Sequence, residues 1–383
     1  MSRVLDEHRQ MLSDAPRLAA FQRAVEELVK PGMVVCDLGA GTGILGLMAL
    51  REGAKRVYAV EDSSLISLTR DIARTNGYGP ELVGVRELST LAELPEPVDV
   101  VIADQTGHFG FEAGVFEYFA DAKRRFLQPE GTLIPEAVEL WAAPVEAPDL
   151  WSNIEFWSAP VAGFDLGPAR GVAANTGYPI ALEPGQLLAE PVHLATFRTG
   201  DPLSLWRCRA QGTVARNGAL HGVGGWFKAL LSPTSTMTNC PGAPDRIDRR
   251  NVFFPVDRPV PVAPGDRVAS EFQIAPAEKM VAWRVAIRDG SDEEAKAPPR
   301  AEFTHSTWKG ALISEEDLRT CRPDWSPRLS PRGEARRSVL ELCDGNNALI
   351  DIEHEMQRRH PELLADGADA ARFVAEVVAS YGV

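Results

Sequence analysis

Residues 34–43 read Val-Val-Cys-Asp-Leu-Gly-Ala-Gly-Thr-Gly and run into the helix-forming segment 44–50. The apolar, β-branched start predicts a strand that ends near Asp37, and Gly39, Gly41 and Gly43 predict a tight turn into a helix. Because glycine has no Cβ and tolerates positive φ, a ligand can lie directly against the backbone of such a turn. The carboxylate at the end of the strand suits a ligand that is positively charged or rich in hydroxyl groups.

The spacing of the glycines separates this turn from common phosphate-binding loops. A dinucleotide fingerprint reads G-x-G-x-x-G, whereas here the glycines alternate and follow an acid that would repel a pyrophosphate. A Walker loop requires Gly-Lys-Ser/Thr, and no lysine occurs between Lys30 and Lys55. Residues 56–60 predict a second strand ending at Glu61, whose carboxylate can accept hydrogen bonds from both hydroxyl groups of a ribose. These features favour S-adenosyl-L-methionine (SAM) as the cofactor, with S-adenosyl-L-homocysteine as its product.

The composition limits the classes of function. With 383 residues, 44% of them hydrophobic, the chain can form two or three domains with buried cores. A net charge of −14 argues against a nucleic-acid partner or a membrane partner and is compatible with a cationic substrate. Five scattered cysteines without a CxxC pair indicate neither a disulfide framework nor a metal site. Apolar runs are shorter than the roughly 18 residues of a membrane span, and residues 1–8 do not resemble a signal peptide, so we expect a cytoplasmic protein.

Three kinds of sequence pattern follow one another along the chain. In residues 1–142 strands and helices alternate, which predicts a Rossmann-like α/β domain with a parallel sheet. The predicted strands are 33–37, 56–60, 81–86, 98–103 and 132–142, and the predicted helices are 43–52, 63–76 and 112–127. In residues 143–312 short strand-like runs recur between prolines and Gly-Asp turns, which predicts an antiparallel β-barrel. These runs are 189–197, 205–214, 222–231, 251–256, 266–275 and 280–288.

Residues 313–383 predict a small C-terminal module of three short helices. Their apolar residues are Val339, Leu340 and Leu342, then Leu349, Ile352 and Met356, then Phe373, Val374, Val377, Val378 and Tyr381. The second group has the i, i+3, i+7 spacing of one helix face, and Asn347 precedes it as an expected N-cap. Three small amphipathic helices are typical of a winged-helix-like or helical-bundle module.

An α/β SAM domain followed directly by a β-barrel resembles the protein arginine methyltransferases. The matching motifs are His8-x-x-Met11-Leu12-x-Asp14-x-x-Arg17, Val35-x-Asp37-Leu38-Gly39-x-Gly41-Thr42-Gly43-Ile44-Leu45, Gly53-Ala54-Lys55-x-Val57, Glu61-x-Ser63-Ser64, Val98-Asp99-Val100-Val101-Ile102-Ala103-Asp104 and Gly163-Phe164-Asp165. The resemblance covers roughly residues 5–290 and is strongest before residue 165. It implies a SAM-dependent methyltransferase with a Rossmann-like domain and a barrel.

The resemblance also implies roles for individual residues at the cofactor. The cofactor-binding residues are then Met11, Arg17, Asp37, Gly39, Gly41, Gly43, Glu61, Asp62, Ser89 and Thr90. Arg17 should bind the SAM carboxylate, because a guanidinium fork suits a carboxylate. Met11 should pack near the methyl donor, and Glu61 should hold the ribose. Ser89 and Thr90 occupy the region where the family has an acid near the adenine.

Two departures from the family concern the substrate side of the site. Arginine methyltransferases carry two glutamates on a hairpin after the fourth strand. Here the first is Asp104, and the second aligns with Ala113, beside Glu112. The family's Thr-His-Trp loop is replaced by residues 246–248, Arg-Ile-Asp. The catalytic candidates are therefore Asp104, Glu112 and His108, which lies between them.

The altered acid pair bears on the nucleophile. A guanidinium has a pKa above 12 and needs two acids to localise its charge, whereas an alkylamine needs only deprotonation and orientation. The loss of one glutamate therefore favours a simple amine over arginine. His108 titrates near neutral pH and could serve as the base.

The C-terminal module resembles the helical half of leader-peptide recognition domains of the PqqD type, which bind precursor peptides by adding a strand. The preferred substrate is then the terminal amine of a ribosomally made (RiPP) precursor peptide, as in daptide-type pathways, with the leader peptide bound by this module. The alternatives are N- or O-methylation of a small natural product, arginine methylation, and a catalytically silent SAM-binding scaffold. Family members usually dimerise, so a homodimer is possible, although the sequence shows no dimerisation arm.

Overall fold

The computed structural model of the protein describes residues 3–291 and 297–381. The chain divides into two compact units, residues 1–311 and residues 312–383. Met1 and Ser2, which begin the segment judged unlike a signal peptide, lie outside the described residues. In the described ranges, no helix is both long enough and apolar enough to cross a membrane.

The first unit begins with a doubly wound α/β sheet. Its elements are α1 (Arg3–Ser13), α2 (Ala15–Leu28), β1 (Val34–Leu38), α3 (Ile44–Arg51), β2 (Arg56–Val60), α4 (Leu65–Thr75), β3 (Leu82–Val85), β4 (Val98–Ile102), α5 (Val115–Arg125) and β5 (Leu127–Ile134). The strands are parallel in the order β3-β2-β1-β4-β5, which confirms the Rossmann-like prediction. All five residues of β1 are buried, as expected for a central strand covered by helices on both faces.

The strand order determines where the site lies. β1 is paired with β2 on one side and with β4 on the other. The loops that follow these three strands therefore lie at one edge of the sheet, where doubly wound sheets bind their ligands. These loops contain the glycine-rich turn, Glu61 and Asp104.

The rest of the first unit is antiparallel and barrel-like. Its elements are β6 (Ala137–Val145), α6 (Pro148–Glu155), α7 (Gly167–Ala174), β7 (Tyr178–Ile180), β8 (Val192–Arg198), β9 (Trp206–Thr213), β10 (Gly218–Leu230), β11 (Thr236–Thr238), β12 (Asn251–Val262), β13 (Arg267–Ala275), β14 (Met280–Arg288) and β15 (Ala301–Ser306). One sheet has the order β7-β12-β10-β6-β8, with β11 beside β10, and the other has the order β15-β14-β13-β9.

The predicted strand 132–142 is two strands. β5 ends at Ile134 and pairs in parallel with β4, whereas β6 begins at Ala137 and pairs antiparallel with β10. Pro135 lies between them and has no N–H with which to continue a ladder. Residue 142, where the sequence places a domain boundary, falls inside β6.

Residues 103–114, which follow β4 where the sequence places a hairpin, form a loop without strands, and aromatic side chains join this hairpin loop to the barrel. Phe109 lies 5.3 Å from Phe254 and 5.9 Å from Phe272, measured between ring centroids, and is 1% exposed. Full burial of such a side chain contributes about 2–3 kcal/mol. The barrel therefore fixes the hairpin that carries the catalytic candidates.

The second unit is helical in its described part, as predicted. Its helices are α8 (Glu315–Thr320), α9 (Pro331–Leu342), α10 (Leu349–Arg359) and α11 (Gly367–Tyr381), and the last three share a core that includes Val339, Met356 and Val374. The expected N-cap role of Asn347 is wrong: Ala348 is the N-cap of α10, and the Asn347 side chain donates to Leu342 O and Asp344 Oδ1. No strand that could form a wing lies within residues 312–381.

Candidate active site

The glycine-rich turn after β1 adopts a backbone conformation that favours glycine. Gly39, Gly41 and Gly43 have φ values of +65°, +56° and +79°. A Cβ at Gly39 would collide with the Gln105 side chain, and a Cβ at Gly41 would collide with the His8 ring. The positive φ values therefore favour glycine at these positions, and the Gln105 and His8 side chains would have to shift to admit a Cβ.

Asp37 lies buried beneath this turn. Its Oδ2 accepts a hydrogen bond from the Gly46 N–H of α3 at 2.9 Å. Burial raises the pKa of Asp37 to about 7, against the opposing effects of the Gly46 N–H and the charge of Arg17. The Asp37 carboxylate therefore holds α3 against β1. Its effect on a bound ligand is indirect, because it stabilises the turn on which the ligand would lie.

A cavity of about 350 Å³ lies beside the turn. It is lined by Gly39, Val60, Glu61, Asp62, Glu87, Leu88, Ser89, Thr90, Gln105, Glu117 and Tyr118. The structure thus brings Gly39 together with four other predicted cofactor residues: Glu61, Asp62, Ser89 and Thr90. Gln105, which also lines the cavity, has a buried Oε1 without a hydrogen-bond partner in the described part of the chain.

Glu61 presents an ionised carboxylate to this cavity. Its Oε2 accepts from the Gly41 N–H and its Oε1 accepts from the Ser63 N–H, both at 3.1 Å. Burial raises the pKa of Glu61, but the hydrogen bonds from Ser63 and Gly41 outweigh it, so the pKa lies below its usual value. An anionic acceptor in this position suits the two hydroxyl groups of a ribose.

Arg17 and Met11 lie on the helices before β1. Arg17 is 5% exposed and follows Asp14, the N-cap of α2. Its Nη1 donates to the Met11 carbonyl at 3.1 Å, and its Nε donates to Asp104 Oδ2 at 2.5 Å. The half-buried Met11 therefore contributes its backbone to the placement of Arg17, and the guanidinium is bound to the hairpin after β4.

Asp104 lies between two guanidinium groups. On the side opposite Arg17, Arg249 donates from Nη1 to Oδ1 at 3.1 Å and from Nη2 to Oδ2 at 3.0 Å. Arg249 Nη1 also donates to the buried Thr106 hydroxyl at 2.6 Å. The side chains of Asp104, Arg17 and Arg249 are 5%, 6% and 15% exposed. Both carboxylate oxygens are thus already hydrogen-bonded to cations of this chain.

The charge of Asp104 is compensated by these contacts. Burial alone would raise its pKa, but the charges and hydrogen bonds of Arg249 and Arg17 lower the pKa to about 2. Asp104 is therefore ionised at every ordinary pH. Two buried cations share this single anion, so Asp104 does not carry free negative charge that could attract a cationic substrate.

The other two catalytic candidates differ in availability. Glu112 accepts hydrogen bonds from the Phe109 N–H at 2.8 Å and the Phe111 N–H at 3.2 Å, so its carboxylate closes the hairpin, and burial raises its pKa. His108 Nδ1 is buried and lacks a hydrogen-bond partner in the described ranges. Burial and the charge of Arg249 lower the pKa of His108. His108 is therefore the candidate with a ring nitrogen, Nδ1, that the rest of the described chain does not bind.

Sequence reasoning missed Arg249. It lies 145 residues after Asp104, so no local spacing relates the two. The sequence did contain a partial indication of Arg249, because it immediately follows residues 246–248, which depart from the family's loop. The structure also shows that Asp14 Oδ2 accepts the Asp248 N–H at 2.8 Å, which ties this loop to α2.

Comparison with protein families and curated sequences points to methyltransferases. The family described as "Ribosomal protein L11 methyltransferase (PrmA)" matches residues 21–135. An arginine N(omega)-methyltransferase of Streptomyces achromogenes subsp. streptozoticus is 27% identical over 277 residues, which are 68% of this chain and 74% of that protein. Protein arginine N-methyltransferase 6 of Xenopus laevis is 27% identical over 244 residues, which are 60% of this chain and 72% of that protein.

Solved structures agree on the fold. The Trypanosoma brucei PRMT1 enzyme-prozyme heterotetrameric complex with AdoHcy superposes with a TM-score of 0.69 at 17% identity and covers 78% of this chain and 97% of that one. Arabidopsis thaliana protein arginine methyltransferase 10 superposes with a TM-score of 0.67 at 21% identity and covers 79% of this chain and 98% of that one. These two structures cover more of this chain than the matching family does, since the family match ends at residue 135, just after β5.

Proposed function

We propose that this chain, a SAM-dependent methyltransferase similar to the protein arginine methyltransferases, methylates an alkylamine that reacts as the neutral amine. The methyltransferase activity and the SAM donor are the common element of the matching family and relatives. The choice of an amine rests on one observation: both oxygens of Asp104 are held by buried guanidinium groups.

The residues at the cavity fit SAM. Glu61 would hold the ribose hydroxyls, and Ser89, Thr90 and Gln105 would face the adenine. Arg17, which is not among the residues that line the cavity and is bound to Asp104, would bind the carboxylate of the cofactor. Bound SAM supplies an electrophilic methyl group on a sulfonium. The task that remains for the protein is to align a nitrogen lone pair, keep it unprotonated and exclude water.

The charge on the substrate side disfavours a cation. A site for guanidinium needs carboxylate oxygens that are available to the substrate, and those of Asp104 are taken. The Glu112 oxygens accept from the hairpin backbone. Nearby cations lower the pKa of an amine, because they disfavour its charged form. The Arg249 charge therefore assists deprotonation.

Simple acid–base arithmetic favours a terminal amine. With a pKa near 8, roughly a tenth of terminal amines are neutral at pH 7, whereas a lysine with a pKa near 10.4 is neutral in only about one molecule in 2,500. A site that provides positive charge and a weak base suits the first group far better. This supports a peptide terminus as the nucleophile.

His108 can take the remaining proton. Its lowered pKa leaves the imidazole neutral at pH 7, and its Nδ1 has no partner in the part of the chain that the structure describes. The His108 carbonyl is held by Asn239 Nδ2 at 2.8 Å, which fixes the backbone of the hairpin at this residue. His108 would accept the proton of the substrate ammonium, and the nitrogen lone pair would then be free to attack.

Arginine methylation is the second candidate, and the names of the relatives favour it. For that reaction Arg249 would have to leave Asp104 so that a substrate guanidinium could bind there. The contacts of Arg249 with Asp104 and Thr106 would then be lost.

The peptide nature of the substrate rests on the second unit. α9, α10 and α11 have a core of their own and leave Leu340, Leu349 and Ile350 exposed. A precursor leader peptide could bind these apolar side chains as a helix, since the described residues 312–381 offer no strand edge. A protein ending at Ala311 should then lose activity on leader-bearing peptides while keeping activity on short leaderless ones; equal activity of both proteins on the leader-bearing peptides would refute this role. A homodimer remains a prediction that sedimentation analysis would test.

A matched peptide series tests the nucleophile. One sequence would be offered with a free N-terminal amine, with an acetylated N-terminus, and with an acetylated N-terminus plus an internal arginine. We expect formation of S-adenosylhomocysteine with the first peptide, and a 14 Da mass increase at its N-terminus. Methylation of the arginine-bearing acetylated peptide at a comparable rate would instead support arginine methylation.

A further inference from the structure

Arg249 occupies the place that a guanidinium substrate would need. It lies just before β12, and its two terminal nitrogens meet the two oxygens of Asp104 at 3.1 and 3.0 Å. This fork-to-carboxylate arrangement is the one by which carboxylates recognise arginine. The hairpin acid that the resemblance assigns to substrate recognition is therefore bound to an arginine of the same chain.

The backbone on both sides of Arg249 is anchored. The Asp248 N–H donates to Asp14 Oδ2 at 2.8 Å, which ties one side to the N-terminus of α2. On the other side Asn239 Nδ2 donates to the Arg250 carbonyl at 2.7 Å and to the His108 carbonyl at 2.8 Å. Asn239 is itself fully buried. Loop and hairpin are thus joined through one amide.

These contacts indicate that the Arg249 side chain stays bound to Asp104 and does not leave it during each catalytic cycle. A side chain that must swing out for each turnover would be expected on a loop with few fixed contacts, whereas Arg249 is held at both neighbours and by Thr106. The Arg249 side chain is 15% exposed, and its departure would break its hydrogen bonds with both oxygens of Asp104 and with Thr106, leaving Arg17 as the cation bound to Asp104.

We propose that Arg249 is a specificity-determining residue. Because it is bound to Asp104, it prevents a guanidinium substrate from binding there and thereby restricts the enzyme to amines. This deepens the proposed function and rests on it in one respect, the identity of the preferred substrate. The rejection of guanidinium substrates is a separate claim. A substrate guanidinium finds no available carboxylate at Asp104 and is repelled by the positive charge of Arg249.

The test is a gain of function in Arg249→Met, which keeps the length of the side chain and removes its charge. We expect the wild-type enzyme to methylate no arginine in an acetylated arginine peptide. Arg249→Met should methylate it at least tenfold above the wild-type background. In that reaction a guanidinium nitrogen accepts the methyl group, S-adenosylhomocysteine departs with the carbon–sulfur bonding electrons, and one proton is released to water.

Two further variants make the result specific. Arg249→Lys keeps the positive charge and should not gain arginine methylation. Arg250→Met removes a charge from the neighbouring exposed residue and should not gain it either. Calorimetric binding of S-adenosylhomocysteine reports whether each variant is folded. The proposal is overturned if Arg249→Met binds S-adenosylhomocysteine normally and remains as inactive on arginine as the wild type.

A competition experiment on the wild-type enzyme covers the case in which Arg249→Met does not fold. Acetylarginine amide at millimolar concentration should leave both the methylation of an amine peptide and the melting temperature unchanged. Competitive inhibition, or stabilisation against heating, would overturn the proposal. If no amine is methylated by any protein but Arg249→Met acquires arginine methylation, the proposed function fails and the assignment of Arg249 stands.

Discussion

The cofactor cavity and the Asp104 hairpin lie at the same edge of one sheet, yet they are built in different ways. The cavity side is formed mostly by the loops after three neighbouring strands, namely the glycine-rich turn, Glu61 and the loop with Ser89 and Thr90, and is completed by Gln105, Glu117 and Tyr118. The hairpin side is assembled from Arg17, Asp104 and Arg249, which are far apart in sequence. The cofactor cavity is therefore determined largely by the backbone conformation of local segments. The Asp104 site depends on buried charges that only the folded chain brings together.

This difference predicts different responses to mutation. Changes at the hairpin should affect chemistry and stability, because each of its groups compensates another buried charge. Changes at the cavity should affect cofactor affinity, because its groups contact the ligand. Four substitutions test whether the two sides of the site respond in these different ways.

The substitution His108→Asn should have the largest effect, a loss of about 10²- to 10⁴-fold in kcat for an amine peptide, as expected for a general base. S-adenosylhomocysteine binding should stay normal. Because burial lowers the pKa of His108, kcat at saturating peptide should fall only as the pH drops through that lowered value, whereas kcat/KM should already fall below pH 8 as the free amine becomes protonated. Steady-state rates between pH 4.5 and 9 measure this, with the exposed His193→Asn as the control. An unchanged kcat would remove His108 from the mechanism.

The substitution Asp104→Asn should destabilise the first unit by about 3–5 kcal/mol, since it leaves two buried guanidinium groups without their shared anion. Urea unfolding, followed by tryptophan fluorescence, measures this. Glu302→Gln is the matched control, because it breaks an exposed ion pair with Arg284 and should change little. Equal effects of the two substitutions would contradict the compensation described for Asp104.

Stability should also depend on pH through Asp37, which lies buried beneath the glycine-rich turn and does not line the cavity. Its folded pKa of about 7 exceeds the unfolded value of about 3.9, so the folded chain binds an extra proton between these values. Stability should therefore fall as the pH rises from about 4 to 7, by at most about 4 kcal/mol, and level off above that. Asp37→Asn should reduce this decline to the part contributed by Glu112, whose pKa burial also raises, whereas Asp71→Asn on the surface should keep it in full. An identical pH profile for Asp37→Asn would show that Asp37 is ionised in the folded state.

The substitution Glu61→Gln should have the smallest of the four effects, a loss of about ten- to a hundredfold in S-adenosylhomocysteine affinity, the range of a charge-assisted hydrogen bond. Stability should change little, which would separate the cavity from the hairpin. Isothermal titration calorimetry measures the affinity, with the exposed Glu130→Gln as control. Unaltered affinity would mean that Glu61 does not contact the ribose.

The sequence was most informative where structure follows from local pattern. Alternating strands and helices predicted the parallel sheet, and Gly39, Gly41 and Gly43 predicted a turn whose φ values are positive at all three positions. The division of segment 132–142 into β5 and β6 was missed, because its apolar residues continue across the change from a parallel to an antiparallel sheet.

The hairpin could be predicted only in part. Asp104, His108 and Glu112 were identified as a group, but their roles depend on partners that no spacing reveals. Glu112 is bound to the hairpin's own N–H groups, and Asp104 is bound to Arg249. A pairing across 145 residues is a property of the folded chain, so the state of the acid pair required the structure.

The central claim is that Asp104 stays bound to Arg249 during catalysis. A crystal structure of the enzyme with S-adenosylhomocysteine and an amine peptide tests this most directly. We predict Arg17 at the cofactor carboxylate, the amine near His108, and Arg249 still donating two hydrogen bonds to Asp104. An Arg249 side chain turned away, with Asp104 bound to a group of the peptide, would contradict the account.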